Sequence, residues 1–403
     1  MSQPSVNRTP PPGAVWALLL ACFALSGASS LVLEVVWVRL LTQVFGSTNL
    51  AISTVLATFM GGLALGSWLG GRVVDSLRRD ALWAYAACEA GVALSAFFIP
   101  LVAGFFPGVN AWLWGALGEM PLALALLRGV LCALLLLVPT TFMGATMPIL
   151  SRAVIQSDAD FGYLGGRVAI LYAVNTAGAL SGAFAAGFWL LPALGIRTLH
   201  DVAVATAFAV ACLAGLLARW RNAPVLPADT DADSDADADA ATDADAAAAA
   251  DAGVDAGPGA DAIPAASASA VIDGRLALLA FAVSGGVAMA LQALFSRAFA
   301  LILGSAIQSF TLVLVLFLAG LSLGAAIMGR YTSRSAHPLA WLGVGLTGAA
   351  AALLLVYSWL DGLPLFHHDL VRSSGVELDS PAGVAIRAVV AGAIAPVTFF
   401  LGA

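Results

Sequence analysis

The chain has 403 residues, 61% of them hydrophobic and only 10% charged, with a mean hydropathy of +0.96. This is well above the ~45 to 50% apolar content of a soluble domain, which excludes a soluble globular enzyme or a nucleic-acid-binding protein and points to an all-α polytopic membrane protein whose first partner is the lipid bilayer. The formal charge of -7 says little about partners, because eleven of the twenty-four acids lie between Asp229 and Asp261 and the remainder is mildly basic, with Arg as the only base.

Taken in chain order, runs of ~20 apolar residues predict membrane helices at 15–38, 50–71, 81–105, 121–149, 167–192 and 199–219. Four more follow a polar break, at 276–301, 307–329, 339–360 and 382–403. The organisation is a cytoplasmic tail (1–13), a six-helix half (14–221), an acidic linker (222–272) and an incomplete half of four helices (273–403). The first run, preceded by Arg8 and passing through "ALSGASS", resembles a signal peptide, but it continues to Leu41, too long for an h-region. It is read as the first membrane helix.

Arginine sets the orientation, because positive charge collects in cytoplasmic loops. With the N-terminus inside, the inner face holds Arg8, Arg72, Arg78, Arg79, Arg152, Arg167, Arg219, Arg221, Arg275, Arg330 and Arg334, and the outer loops hold Arg197 and Arg372. The expectation is a multi-pass protein of the cell (inner) membrane with N-terminus and linker in the cytoplasm. Cys22, Cys88, Cys132 and Cys212 sit in apolar runs without metal-ligand spacing and read as small buried hydrophobes.

The Asp/Ala-rich segment 227–270 has almost no large apolar residues, and its charges repel one another, so it is expected to be a disordered spacer. Its alternating Asp lacks the fixed Gly and terminal Glu of a calcium loop. His367, His368 and Asp369 fit a solvated outer turn better than a metal site. No metal and no cofactor is expected in this chain.

An internal repeat is visible. A slide of 258 positions lays Ser26-Gly27 on Ser284-Gly285, Arg39 on Arg297, Phe59 on Phe317, Gly62-Leu63 on Gly320-Leu321 and Gly71-Arg72 on Gly329-Arg330. Both copies keep the same inside/outside sense, as in parallel-repeat transporters. "PTTFMGA" from Pro139 has a counterpart in "PVTFFLGA" from Pro396; the first copy runs on through "TMPIL" and two more helices, which the second copy lacks. The expectation is a fragment, ten helices of twelve. Gly62, Gly66 and Gly70, and likewise Gly178, Gly182 and Ala186, have the four-residue spacing that brings helix backbones close.

Two six-helix halves joined by a cytoplasmic linker resemble the major facilitator superfamily, and "GGRVVDSLRR" (Gly71, Asp75, Arg78, Arg79) is partly similar to its loop signature. The run of "LSGASSLVLEVVWVRLLTQVFGST", "STVLATFMGGLALGSWLGGRVVD", "PTTFMGATMPIL" and "GRVAILYAVNTAGALSGAFAAGFWLLPALG" resembles the membrane domain of spermidine synthase-like membrane proteins, a facilitator-like bundle fused to an aminopropyltransferase-type domain. That resemblance implies a role in polyamine biosynthesis, with a soluble catalytic domain outside this chain. No catalytic or nucleotide-binding motif is present here.

A charged side chain in the bilayer costs at least ~2.5 to 3.5 kcal/mol, so Glu34, Glu89, Arg128 and Arg387, with the polar Gln292, are the candidate site residues. The facilitator resemblance implies that Glu34, Arg128, Gln292 and Arg387 face a central cavity, with Glu34 paired to Arg128. Glu89 is either a proton site or bonded within the bundle. Arg39 and Arg297 are expected to snorkel to the interface. Two functions follow: a membrane module anchoring or serving an aminopropyltransferase-type domain, or a secondary transporter whose arginines favour a small anionic or zwitterionic solute over a polyamine.

Overall fold

The structure, a computed structural model, describes residues 12–45, 48–74, 81–154, 161–221, 268–332, 338–376 and 380–402. Within the bilayer no water can satisfy backbone N–H and C=O groups, so an apolar chain closes its own hydrogen bonds as helix. Among the described residues there is no strand. The elements are α1 (Pro12–Phe45), α2 (Thr48–Val73), α3 (Ala81–Ala103), α4 (Phe106–Leu117), α5 (Pro121–Val154), α6 (Phe161–Ala185) and α7 (Leu191–Arg221). After the linker come α8 (Ala268–Leu303), α9 (Ala306–Thr332), α10 (Pro338–Leu360), α11 (Leu363–Ser374), α12 (Pro381–Ala391) and α13 (Ala395–Gly402). Among the described residues, nine segments are long and apolar enough to cross a membrane. The chain is a multi-pass membrane protein.

Three features depart from the expected layout. The stretch 168–220 forms one candidate span of 53 residues, in which a π-helical turn (Ala186–Leu190) joins α6 to α7 and Gly195, at φ 76°, interrupts the helical backbone. The expected outer loops are partly helical: α4 and α11 are each 12 residues long with Pro in the first turn, so His367, His368 and Asp369 lie on a helix, not a turn. The end of the expected linker, 268–272, is already helix, and 222–267 lies outside the described residues.

Residues 1–221 and 283–403 fall in one compact unit, and the repeat runs through its helices. α3 and α10 have 23 residues each, displaced by 257 positions (81 to 338), and α4 and α11 share that displacement (106 to 363). Contacts repeat as well. A Cβ on Gly62 would overlap Thr140 and one on Gly320 would overlap Thr398; Gly144 meets Leu63 as Gly402 meets Leu321; Gly91 meets Phe142 as Gly348 meets Phe400. Thus α2 packs on α5 as α9 packs on α13, through the small residues read from the sequence.

α1 packs on α6 in the same way, with Gly178 and Gly182 against the backbone at Ala24 and Ala28, and Gly27 against Asn175. The matching positions on α8, Gly285 and Gly286, meet open space. Pro139 removes the backbone bond to the Leu135 carbonyl inside α5, and next to it the Thr140 and Thr141 hydroxyls donate to the Leu136 and Leu137 carbonyls at 2.8 and 2.7 Å. Phe310 and Leu314 of α9 enter the core built around α1, and Phe188 of the π turn enters the core built on α8, α9, α10 and α12. Side chains of α9 and of the π turn thus cross between the two cores.

Candidate functional site

Every residue from Leu31 to Val38 on α1 is buried. Glu34 is 0% exposed, and neither carboxylate oxygen has a hydrogen-bond partner. Trp37, one turn on, has its indole N–H unpartnered. Gln292 Nε2, Ser309 Oγ and Thr311 Oγ1 are buried and unpartnered too. These belong to helices that meet: α1 packs on the π turn and on α9, Gly187 of the π turn lies against Thr311, and Ala293, beside Gln292, packs on the core of α1.

A buried polar group without a partner costs ~1 to 3 kcal/mol, and more when charged, so five of them on helices that meet are costly for a purely structural role. Each has open bonding capacity: the carboxyl oxygens accept, the indole and amide nitrogens donate, and the hydroxyls do both. A π turn also leaves backbone groups out of the regular ladder and recurs at functional sites. Each of these groups can therefore accept a proton or a hydrogen bond, or donate one, without breaking a bond already made.

The expected Glu34–Arg128 pair does not form. Arg128 is half-buried on α5, with Leu124 and Cys132 one turn to either side, and its Nε is unpartnered. The reason lies in the packing, because α5 spends its surface on α2 and α3, whereas α1 packs chiefly on α6 and α7. Arg387, 4% exposed on α12, donates to Gln308 Oε1 on α9. His367 of α11 lies close to Arg387, and its pKa is held below the ordinary value by burial, then by the Arg387 and His368 charges.

Glu89 on α3 finds a partner the sequence did not suggest. Ser26 on α1 donates to its Oε1 at 2.5 Å, and the Tyr85 hydroxyl approaches the same carboxylate outside strict hydrogen-bond geometry. Arg39 and Arg297 are both exposed. Arg72, at the end of α2, stacks 4.0 Å over the Trp68 ring. A Cβ on Gly71 would meet nothing, while Asp75, Arg78 and Arg79 lie outside the described residues. Among the described residues no three metal-binding side chains come together.

The sequence reading missed Ser26, Gln308, Ser309 and Thr311. Their only signal is a polar residue inside an apolar run, which is common for Ser and Thr in membrane helices because the hydroxyl can bond its own backbone. Comparison with family models, curated proteins and solved structures finds no match. The motif resemblances therefore stand on the quoted residues alone.

Proposed function

We propose that the chain is a facilitator-like bundle of two repeated halves in the cell membrane that handles a small zwitterionic solute at the junction of α1, the π turn, α8 and α9, with the solute's cationic end toward Glu34. The observation carrying this reading is Glu34, a fully buried carboxyl group with both oxygens unpartnered, whose repeat mate Gln292 is buried and unpartnered as well. A purely structural carboxyl would be satisfied, as Glu89 is. Ten crossings follow when 168–220 is divided at Gly195. N-terminus and linker are placed inside by the arginine distribution.

The test is uptake by proteoliposomes containing the full chain. A panel of small carboxylates, amino acids and polyamines is offered with and without an inward proton gradient. Uptake of at least one zwitterion is expected, with Glu34→Gln abolishing its dependence on the gradient. Uptake of no panel member, or unchanged gradient dependence in Glu34→Gln, would count against the reading.

A second reading, a membrane module serving an aminopropyltransferase-type domain, is favoured by where the resembling motifs fall. Gly27, Asn175 and Gly178 make the α1–α6 contact, and Gly62, Thr140 and Gly144 make the α2–α5 contact, so the shared residues are scaffold residues. Membranes carrying the full-length gene product, given putrescine and decarboxylated S-adenosylmethionine, should then form spermidine. Absence of product there would remove this alternative.

A further inference from the structure

A cavity, separate from the Glu34 junction, opens where several helix ends converge. It encloses about 530 Å³ and is lined by Gln43 from the end of α1, Pro100 from α3, Pro107 and Asn110 from α4, and Arg197 and His200 from α7. That volume falls in the ~300 to 1,000 Å³ range of small-molecule sites. Among the described lining residues Arg197 is the one fixed charge, and there is no carboxylate.

Two helix N-termini face this space. α4 begins there with Pro in its first turn and no side-chain cap, and the regular part of α7 resumes there after Gly195. Uncapped N–H groups and the helix dipole make such ends attractive to anions, phosphate above all. Asn110 is half-buried, its side-chain oxygen is without a partner, and the amide can present either its oxygen or its nitrogen. His200 is 1% exposed. Its Nδ1 lies 3.4 Å from Asp201 Oδ1, and the Ala96 backbone approaches the ring outside strict hydrogen-bond geometry.

The setting also limits the ligand. On α4, Trp112 and Trp114 are 70% and 62% exposed, the pattern of aromatic side chains at a membrane–water interface. Pro100 and Pro107 add an apolar wall beside the guanidinium. We propose that this cavity binds a phosphate-bearing organic anion, its phosphate on Arg197 and the α4 N-terminus and its carbon skeleton against the prolines. The anion is either the head of an anionic phospholipid or a free phosphate ester. The site stands independently of the solute reading.

The experiment uses the full chain in phosphatidylcholine nanodiscs. In one arm phosphatidylglycerol is mixed into the disc and the lipid retained by the protein is measured by native mass spectrometry. In the other, sn-glycerol 3-phosphate is titrated while thermal stability is followed. Arg197→Gln tests the site, Asn110→Leu tests it without altering charge, and Arg372→Gln on α11 controls for general surface attraction.

Retention of phosphatidylglycerol weakened roughly tenfold by Arg197→Gln, the scale of one charge-assisted hydrogen bond, and unchanged by Arg372→Gln, identifies a lipid site. Stabilisation by glycerol phosphate in the wild type and not in Arg197→Gln identifies a free phosphate ester. Binding in neither arm, or equal losses in Arg197→Gln and Arg372→Gln, overturns the proposal.

Discussion

Gly62→Ala should destabilise the first half far more than Gly61→Ala, its neighbour on the same helix. A Cβ built on Gly62 would lie 2.5 Å from Thr140 Cβ and closer still to its Oγ1, whereas one on Gly61 meets nothing within 4 Å. Carbon atoms pack at ~3.5 to 4.0 Å, so α2 and α5 would have to part by ~1 Å or more. The Thr140 backbone carbon, 3.1 Å away, prevents relief by rotamer change alone. Overpacking costs ~1 to 3 kcal/mol, and the upper end applies where backbone must move. Replacing Gly by Ala returns up to ~1 kcal/mol of helix propensity, leaving a net loss of ~2 kcal/mol for Gly62→Ala and a small gain for Gly61→Ala.

At ~2 to 4 °C per kcal/mol, Gly62→Ala should melt ~4 to 8 °C lower in fluorescence-detected size-exclusion thermostability assays. Gly320→Ala, facing Thr398, should show a similar loss, and Thr140→Gly combined with Gly62→Ala should recover part of it. A Gly62→Ala protein melting within a degree of wild type would show that the two helices are not in the close contact described.

Ser26→Ala should cost ~1 to 3 kcal/mol by removing the hydroxyl that donates to buried Glu89, and Ser26→Ala with Glu89→Gln should cost less than the sum; additive losses in the same melting assay would exclude the pair. Because burial and Arg387 hold the His367 pKa below its ordinary value, the folded state binds this proton less readily than the unfolded state. Its stabilising contribution is therefore complete above pH ~6.5 and is lost as pH falls from there through the lowered folded value. His367→Asn, which places there the residue found at the equivalent position 110, should melt with a shallower acid slope between pH 7.5 and 5.5; an unchanged slope would exclude His367 as its source. Gln308→Leu should cost ~1.5 to 3 kcal/mol, the worth of a hydrogen bond to a charged group, and should lose most of its effect in an Arg387→Gln background; full additivity would dissociate the two residues.

Much of the fold was legible because long apolar runs in a bilayer have little choice but helix. The small-residue spacing at Gly62 and Gly178 gave the packing faces, and the repeat gave the second copy of one of them. α4 and α11 were hidden because twelve residues are too few to register as a span. Pro107 and Pro364, each in a first helical turn where Pro is favoured, were the available signal. The π turn leaves no such mark, since "AGFWL" reads as ordinary helix.

At the site, the chemistry was legible and the pairing was not. A carboxyl at position 34 had to be exceptional in that setting, but its partner depends on which helices touch, and charge complementarity alone suggested Arg128. The acceptor taken by Arg387 is an uncharged amide, invisible to reasoning that searches for opposite charges. Ser26 was seen as part of the repeat and not as the donor that satisfies Glu89.

The equal lengths of α3 and α10, 23 residues each, carry a consequence for how the protein meets its lipid. At ~1.5 Å per residue each is ~34 Å long, close to the ~30 Å hydrocarbon thickness of a bilayer. A thinner or thicker membrane would impose the same mismatch on both, to be relieved by tilt. Varying acyl-chain length in reconstituted bilayers would therefore lean the two helices together, straining both copies of the repeat alike without prying one from the other.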